Sequence, residues 1–121
     1  MKTIFVVDDN STNLLMAEEV LSDHYEVITM ASARTMFELL ESVTPDLILL
    51  DVMMPDIDGF EALEQLKSES RYANIPVVFL TGSGGADTEA RGIAMGVADF
   101  VVKPFSAQIL LESVKFVLQK R

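Results

Sequence analysis

Cysteine is absent from the 121 residues, which excludes a disulfide framework and any thiolate metal site. Basic residues are scarce: nine Lys and Arg against nineteen Asp and Glu leave a formal net charge of −10. Neutralising nucleic-acid phosphates requires a basic patch, so no direct contact with nucleic acid is expected. Long apolar runs are missing as well. No stretch approaches membrane-spanning length and the N-terminus enters a strand-like run with no signal-peptide pattern, so a cytoplasmic protein with no membrane contact is expected. Histidine occurs once, at His24 between a predicted helix and a predicted strand, where an exposed loop residue is expected rather than a ligand or a phosphohistidine. Repeats, linkers and low-complexity segments are also lacking, and the expectation is one domain over residues 1–121. Half of the residues are hydrophobic, enough to exclude disorder and to build a core.

Short apolar runs alternate with longer amphipathic stretches five times. Strands are predicted at residues 3–8, Tyr25 to Met30, 46–51, Val77 to Thr81 and Ala98 to Val102. Helices are predicted between and after them. Asn10 or Ser11 caps the first, whose Leu14, Leu15, Val20 and Leu21 form the buried stripe. The second runs from Ser32 to Glu41, the third from about Gly59 to Glu69 behind an Asp58 cap, the fourth to about Met95 before Gly96, and the last follows Ser106. Ser83-Gly84-Gly85 reads as a permissive loop. Strict βα alternation implies a parallel sheet with right-handed crossovers and helices on both faces, and such sheets place their sites beyond the carboxyl ends of the strands.

Three acidic residues stand at those ends. Asp8 and Asp9 follow Ile4-Phe5-Val6-Val7, and Asp51 follows Leu47-Ile48-Leu49-Leu50. Both runs are solidly apolar, as strands buried on both faces are. Two carboxylates about 5 Å apart repel by roughly 3 kcal/mol at an effective dielectric near 20. A fold that gathers three of them needs a reason, and a bound divalent cation is the simplest. Thr81 and Lys103 stand at the ends of the fourth and fifth strands. An ionised Asp51 is a candidate nucleophile toward phosphorus, with Thr81 offering a hydroxyl donor and Lys103 a compact positive charge.

Val-Val-Asp-Asp-Asn at 6–10, Leu-Leu-Asp-Val-Met-Met-Pro at 49–55, Asp58-Gly59, Leu-Thr-Gly at 80–82 and Val-Lys-Pro-Phe at 102–105 resemble the response-regulator receiver domain, in order and across essentially the whole chain. The resemblance implies an α/β, flavodoxin-like, doubly wound five-stranded parallel sheet of strand order 2-1-3-4-5 with five helices. It implies that Asp51 accepts a phosphoryl group from a sensor histidine kinase or a histidine phosphotransfer protein. The implied cofactor is Mg²⁺ or Mn²⁺ on Asp8, Asp9, Asp51 and the backbone carbonyl of Met53. Thr81 and Phe100 are the implied switch pair, Lys103 the implied neutralising charge, and Lys103-Pro104 an implied cis bond. The chain is then expected to catalyse its own phosphorylation and dephosphorylation while acting as a signalling module, not as a metabolic enzyme.

Several expectations follow from that reading. The loop at Ser83 to Gly85 is expected to order on phosphorylation. Gly82 leaves the approach to Asp51 uncrowded. Asp46, Asp56 and Asp58 are expected to serve a strand start, a turn and a cap. The last helix carries more apolar area than one buried stripe requires, with Phe116 the surplus, so it and the fifth strand offer a surface to a second copy, an output domain or a downstream protein. Three alternatives stay open: a flavodoxin, which needs a hydroxyl- and glycine-rich phosphate loop where Asp8-Asp9-Asn10 stands; a metal-dependent phosphohydrolase; and a receiver-shaped scaffold that is never phosphorylated.

Overall fold

Five apolar runs, each too short to bury a helix face alone, pair side by side as parallel strands. A computed structural model describes residues 1–82 and 86–120. The elements are β1 (Thr3–Val7), α1 (Ser11–Leu21), β2 (Glu26–Met30), α2 (Ala33–Leu40), β3 (Leu47–Asp51), α3 (Gly59–Ser68), β4 (Val77–Thr81), α4 (Ala86–Met95), β5 (Asp99–Val102) and α5 (Ala107–Gln119). The sheet order is β2-β1-β3-β4-β5, with every pair parallel. The doubly wound architecture and its strand order are as the sequence led us to expect. The loop reading at Ser83, Gly84 and Gly85 lies outside the described residues.

Alternation along the strands divides the core between the two faces of the sheet. Phe5, Val7, Ile48, Leu50, Val77 and Phe79 face one way, onto Met36 and Leu40 of α2 and Leu63 and Leu66 of α3. Ile4, Val6, Leu47, Leu49, Val78 and Leu80 face the other, onto Ala17 and Leu21 of α1 and Leu110 and Val114 of α5. Polar residues set the helix starts. The side chains of Asn10, Ser32, Asp58 and Ser106 accept from the backbone N–H three residues on, satisfying donors that the first helical turn leaves open. Gly96, at φ +96°, ends α4 in a conformation that suits glycine.

The structure trims several sequence-based boundaries. Asp8, Tyr25, Asp46 and Ala98 fall just outside their strands; Asp8, for instance, gives its N–H to the Met30 carbonyl and then turns away. Leu15 is not in the buried stripe but 57% exposed. Two residues at 3.6 per turn put it about 160° around the helix from buried Ala17. Met53 is 74% exposed, and Lys103-Pro104 is cis.

Candidate functional site

Parallel pairing brings the chain ends of β1, β3, β4 and β5 to one edge. Val7 is level with Leu50, Asp51 with Leu80, and Thr81 with Val102. Asp8 therefore emerges beside Asp51, and Asp9 follows at the rim. Each of the three can bring one carboxylate oxygen within 4.8 Å of the others. Asp8 and Asp51 are buried, Asp9 exposed. Thr81 is buried, and Lys103, one residue past β5, is mostly covered.

The Lys103 ammonium bridges the two buried carboxylates, donating to Asp51 Oδ1 at 3.0 Å and to Asp8 Oδ2 at 3.3 Å. Its backbone N–H donates to the Thr81 carbonyl at 2.7 Å, which fixes the lysine relative to β4. Asp51 Oδ1 also accepts from the Met53 N–H at 3.1 Å. Asp8 is more fully held: Asn10 N–H donates to Oδ1 at 2.9 Å and Asn13 Nδ2 to Oδ2 at 3.2 Å. Asp8 is thus a fixed charge, while Asp51 Oδ2 accepts no hydrogen bond among the described residues.

Burial pushes the Asp51 carboxyl up from 3.8 to about 6; the Lys103 hydrogen bond opposes this, the Asp8 charge adds to it, and the Met53 N–H opposes it again. For Lys103, burial acts to lower the pKa, but the Asp51 hydrogen bond and the charges of Asp8 and Asp51 prevail and raise it. The ammonium is secure. The Asp51 carboxylate is held ionised near neutrality against a desolvation cost, and that makes it responsive to added positive charge.

With all three acids ionised, one ammonium leaves two negative charges uncompensated. The donors are all oxygen, and exposed Asp9 keeps one side open to water. That fits a hard divalent cation which retains part of its hydration, as Mg²⁺ and Mn²⁺ do, and does not fit a soft metal.

Among the other sequence-selected residues, Phe100 lies opposite Phe79 on the neighbouring strand, with ring centroids 5.9 Å apart at 65°. It is half-buried and touches the core without closing it. Asp58 caps α3, Asp46 Oδ2 accepts the Thr3 N–H at 2.7 Å, Asp56 is exposed, and His24 is an exposed loop residue. A Cβ built on Gly82 meets nothing within 4 Å.

Three roles escaped the sequence reading. Asn13 is an ordinary polar residue of a helical turn until the turn is placed beside Asp8. Gly59 allows α3 to start against the site: a Cβ there would lie 2.7 Å from the Asp51 carbonyl oxygen, a close approach that the Asp58-Gly59 pair signalled only as part of the family resemblance. Gly92 leaves room for the Phe100 ring, whose Cζ a Cβ would meet at 2.7 Å.

The profile of the response regulator receiver domain matches residues 4–115. A probable cyclic di-GMP phosphodiesterase of Vibrio cholerae is 34% identical over 98% of this chain, which spans 27% of that protein. The response regulator PleD of Caulobacter vibrioides is 37% identical over 93% of this chain, which spans 25% of it. The chain thus covers about a quarter of these relatives. Among solved structures, the chemotaxis protein CheY4 of Vibrio cholerae is 31% identical at a TM-score of 0.91, with 97% of this chain and 98% of that one aligned. A putative response regulator from Chloroflexus aurantiacus is also 31% identical at 0.91, with 98% of each chain aligned.

Proposed function

Because this chain belongs to the response-regulator receiver family, the receiving module of two-component phosphorelay signalling, we propose that Asp51 is its phosphoacceptor and that residues 1–121 act as one receiver domain. The reading rests on one observation above all: Asp51 is a buried carboxylate with Oδ1 held by Lys103 and Met53 and, among the described residues, Oδ2 left without a hydrogen bond. Oδ2 then attacks phosphorus. An O–P bond forms as the P–N bond of a phosphohistidine breaks, and the imidazole of the kinase or phosphotransfer protein leaves with the electron pair. Acetyl phosphate would serve by the same attack, with acetate leaving.

Phosphoryl transfer is mostly a matter of alignment and charge. Asp8, Asp9, Asp51 and the Met53 carbonyl would hold Mg²⁺ or Mn²⁺, which supplies positive charge to the phosphoryl oxygens. Lys103 releases part of its hold on Asp51 to meet another phosphoryl oxygen, and the Thr81 hydroxyl donates to a third. The domain in this way promotes its own phosphorylation and, by admitting water, its dephosphorylation. Thr81 moving toward the phosphoryl group vacates space that Phe100 fills, and the changed β5 and α5 surface passes the signal to an output domain, a downstream protein or a second copy. A cytoplasmic location accords with this reading; among the described residues no helix is long and apolar enough to cross a membrane.

The test is intact mass after incubation with acetyl phosphate, with and without Mg²⁺, for wild type and Asp51→Asn. One phosphoryl adduct is expected on the wild type, absent from the variant and absent without the ion. An adduct on Asp51→Asn would put the acceptor elsewhere. Failure of the wild type to take up either phosphoryl or beryllofluoride would favour the unphosphorylated scaffold.

A further inference from the structure

To meet a phosphoryl oxygen, the Lys103 ammonium has to loosen its hold on two carboxylate oxygens, Asp51 Oδ1 at 3.0 Å and Asp8 Oδ2 at 3.3 Å. Each of these oxygens has a second donor, and in both cases it is neutral. Asp51 Oδ1 accepts from the Met53 N–H at 3.1 Å. Asp8 Oδ2 accepts from Asn13 Nδ2 at 3.2 Å. The first donor is backbone and would survive most changes of residue 53. The second is a side chain and is lost with any residue at 13 that cannot donate. Asp8 is fully buried, so water does not reach Oδ2 to replace a missing donor, and a buried charged oxygen left bare is costly. The Asn13 amide is itself held in place. Its backbone N–H donates to the Asn10 side chain at 3.1 Å, and the Asn10 N–H donates to Asp8 Oδ1 at 2.9 Å. The start of α1 therefore grips Asp8 through both oxygens without the lysine.

We propose that Asn13 is a positioning residue for phosphoryl transfer: it keeps Asp8 Oδ2 hydrogen-bonded when Lys103 departs, and so lowers the cost of releasing the lysine to the phosphoryl group. This role rests on the phosphoacceptor reading of Asp51. With Lys103 in its resting place, Asp8 Oδ2 has two donors and can spare one. With Lys103 on the phosphoryl group, it has Asn13 alone. Loss of the amide is therefore felt little in the resting site and fully in the loaded one. The effect passes through Asp8 and Lys103, and it requires no contact between Asn13 and the phosphoryl group.

The experiment compares two dissociation constants in the full chain, each read from ¹H–¹⁵N amide shifts. One is for Mg²⁺ alone, and the other is for beryllofluoride, the phosphoryl analogue, at saturating Mg²⁺. Asn13→Leu keeps the bulk of the side chain and removes the donor, while Asn13→Ala removes it in a better helix former. Both should raise the beryllofluoride constant about tenfold and change the Mg²⁺ constant less than about threefold. The rate of phosphoryl uptake from acetyl phosphate at saturating Mg²⁺ should fall by a factor similar to the first. Thr12→Val, at an exposed neighbouring position, should leave all three in place. A merely structural amide would lower the melting temperature while the beryllofluoride constant and the uptake rate of the folded protein stayed unchanged, and that result would overturn the proposal. Equal weakening of Mg²⁺ and beryllofluoride would overturn it too, since Asn13 would then serve the resting site. A wild type that takes up neither beryllofluoride nor phosphoryl would remove the phosphoacceptor reading itself, and the role of Asn13 with it.

Discussion

Asp51 is where the fold gives up stability, by burying a carboxylate. Its ordinary value of 3.8 rises to about 6 in the fold, so at neutral pH the native state carries a charge that it accommodates less well than the unfolded chain does. The sign follows from linkage: an acid whose folded pKa is raised favours folding below the unfolded value, and that contribution is lost as pH climbs from about 4 through about 6. At 1.36 kcal/mol per pKa unit the loss is on the order of 2–3 kcal/mol. Asp51→Asn removes the charge and keeps the shape. Without divalent cations, the variant should melt several degrees above wild type at pH 7.5, with the gap shrinking toward pH 4. A gap of the same size at both pH values would contradict this origin. Adding Mg²⁺ at pH 7.5 should narrow the gap from the other side by stabilising the wild type. The positions of Asp8, Asp9, Asp51, Thr81 and Lys103 could be read from the sequence, since each ends or just follows an apolar run and parallel strands share an edge. Their partners could not. Asn13 Nδ2 reaches Asp8 only because α1 leaves β1 at a particular angle, and nothing in the local sequence encodes an angle.

The elements meet most tightly where a glycine permits it. In α4, Gly92 faces the Phe100 ring of β5, which in turn contacts Phe79 of β4. Phe100 also borders a cavity of about 410 Å³ with Ile109 and Phe116 of α5. One ring is therefore shared between the core and the outer face. A Cβ at Gly92 would meet Phe100 Cζ at 2.7 Å and Val97 Cγ1 at 3.1 Å. Gly92→Ala gains up to about 1 kcal/mol of helix propensity, but it overlaps the ring, and overpacking costs roughly 1–3 kcal/mol unless the ring moves. Since Phe100 is only half-buried, movement is the cheaper response. We expect Gly92→Ala to change stability little and to weaken the Phe79–Phe100 ring contacts in NOE spectra, leaving the Phe60–Phe79 pair as a control. Unchanged Phe79–Phe100 contacts would show that α4 yields instead and that the ring is fixed. The alternation of elements was plain in the sequence because strand and helix periods differ. Leu15 was misread because Leu14, Leu15, Met16 and Ala17 are consecutive apolar residues spread around the helix, so the inward face of α1 stays undetermined until α5 packs on Ala17 and Leu21.

For the molecule as a whole, charge and apolar surface act against each other. Val102, Ile109 and Phe116 are 47%, 57% and 51% exposed around β5 and α5, and Lys120 covers the Phe116 ring with its ammonium 4.6 Å from the centroid. Were this surface to pair with a second copy, as proposed above, its burial would contribute about 25 cal/mol for each Å² of apolar area. Two copies carrying −10 each repel on approach, and salt shortens the range of that repulsion from about 30 Å at 0.01 M to 8 Å at 0.15 M. Apolar burial weakens little over the same range. Self-association through this face should therefore strengthen with salt, opposite to the behaviour of an interface held by ion pairs. Beryllofluoride should enhance it if occupancy at Asp51 reshapes β5 and α5. Sedimentation of the beryllofluoride-bound protein at low and physiological salt measures both effects. Phe116→Ser removes the largest apolar group without changing charge and should weaken the dimer by about tenfold, on the order of 1.4 kcal/mol, at either salt concentration. A dimer that weakened with salt, or that Phe116→Ser left intact, would place the contact on a charged face elsewhere.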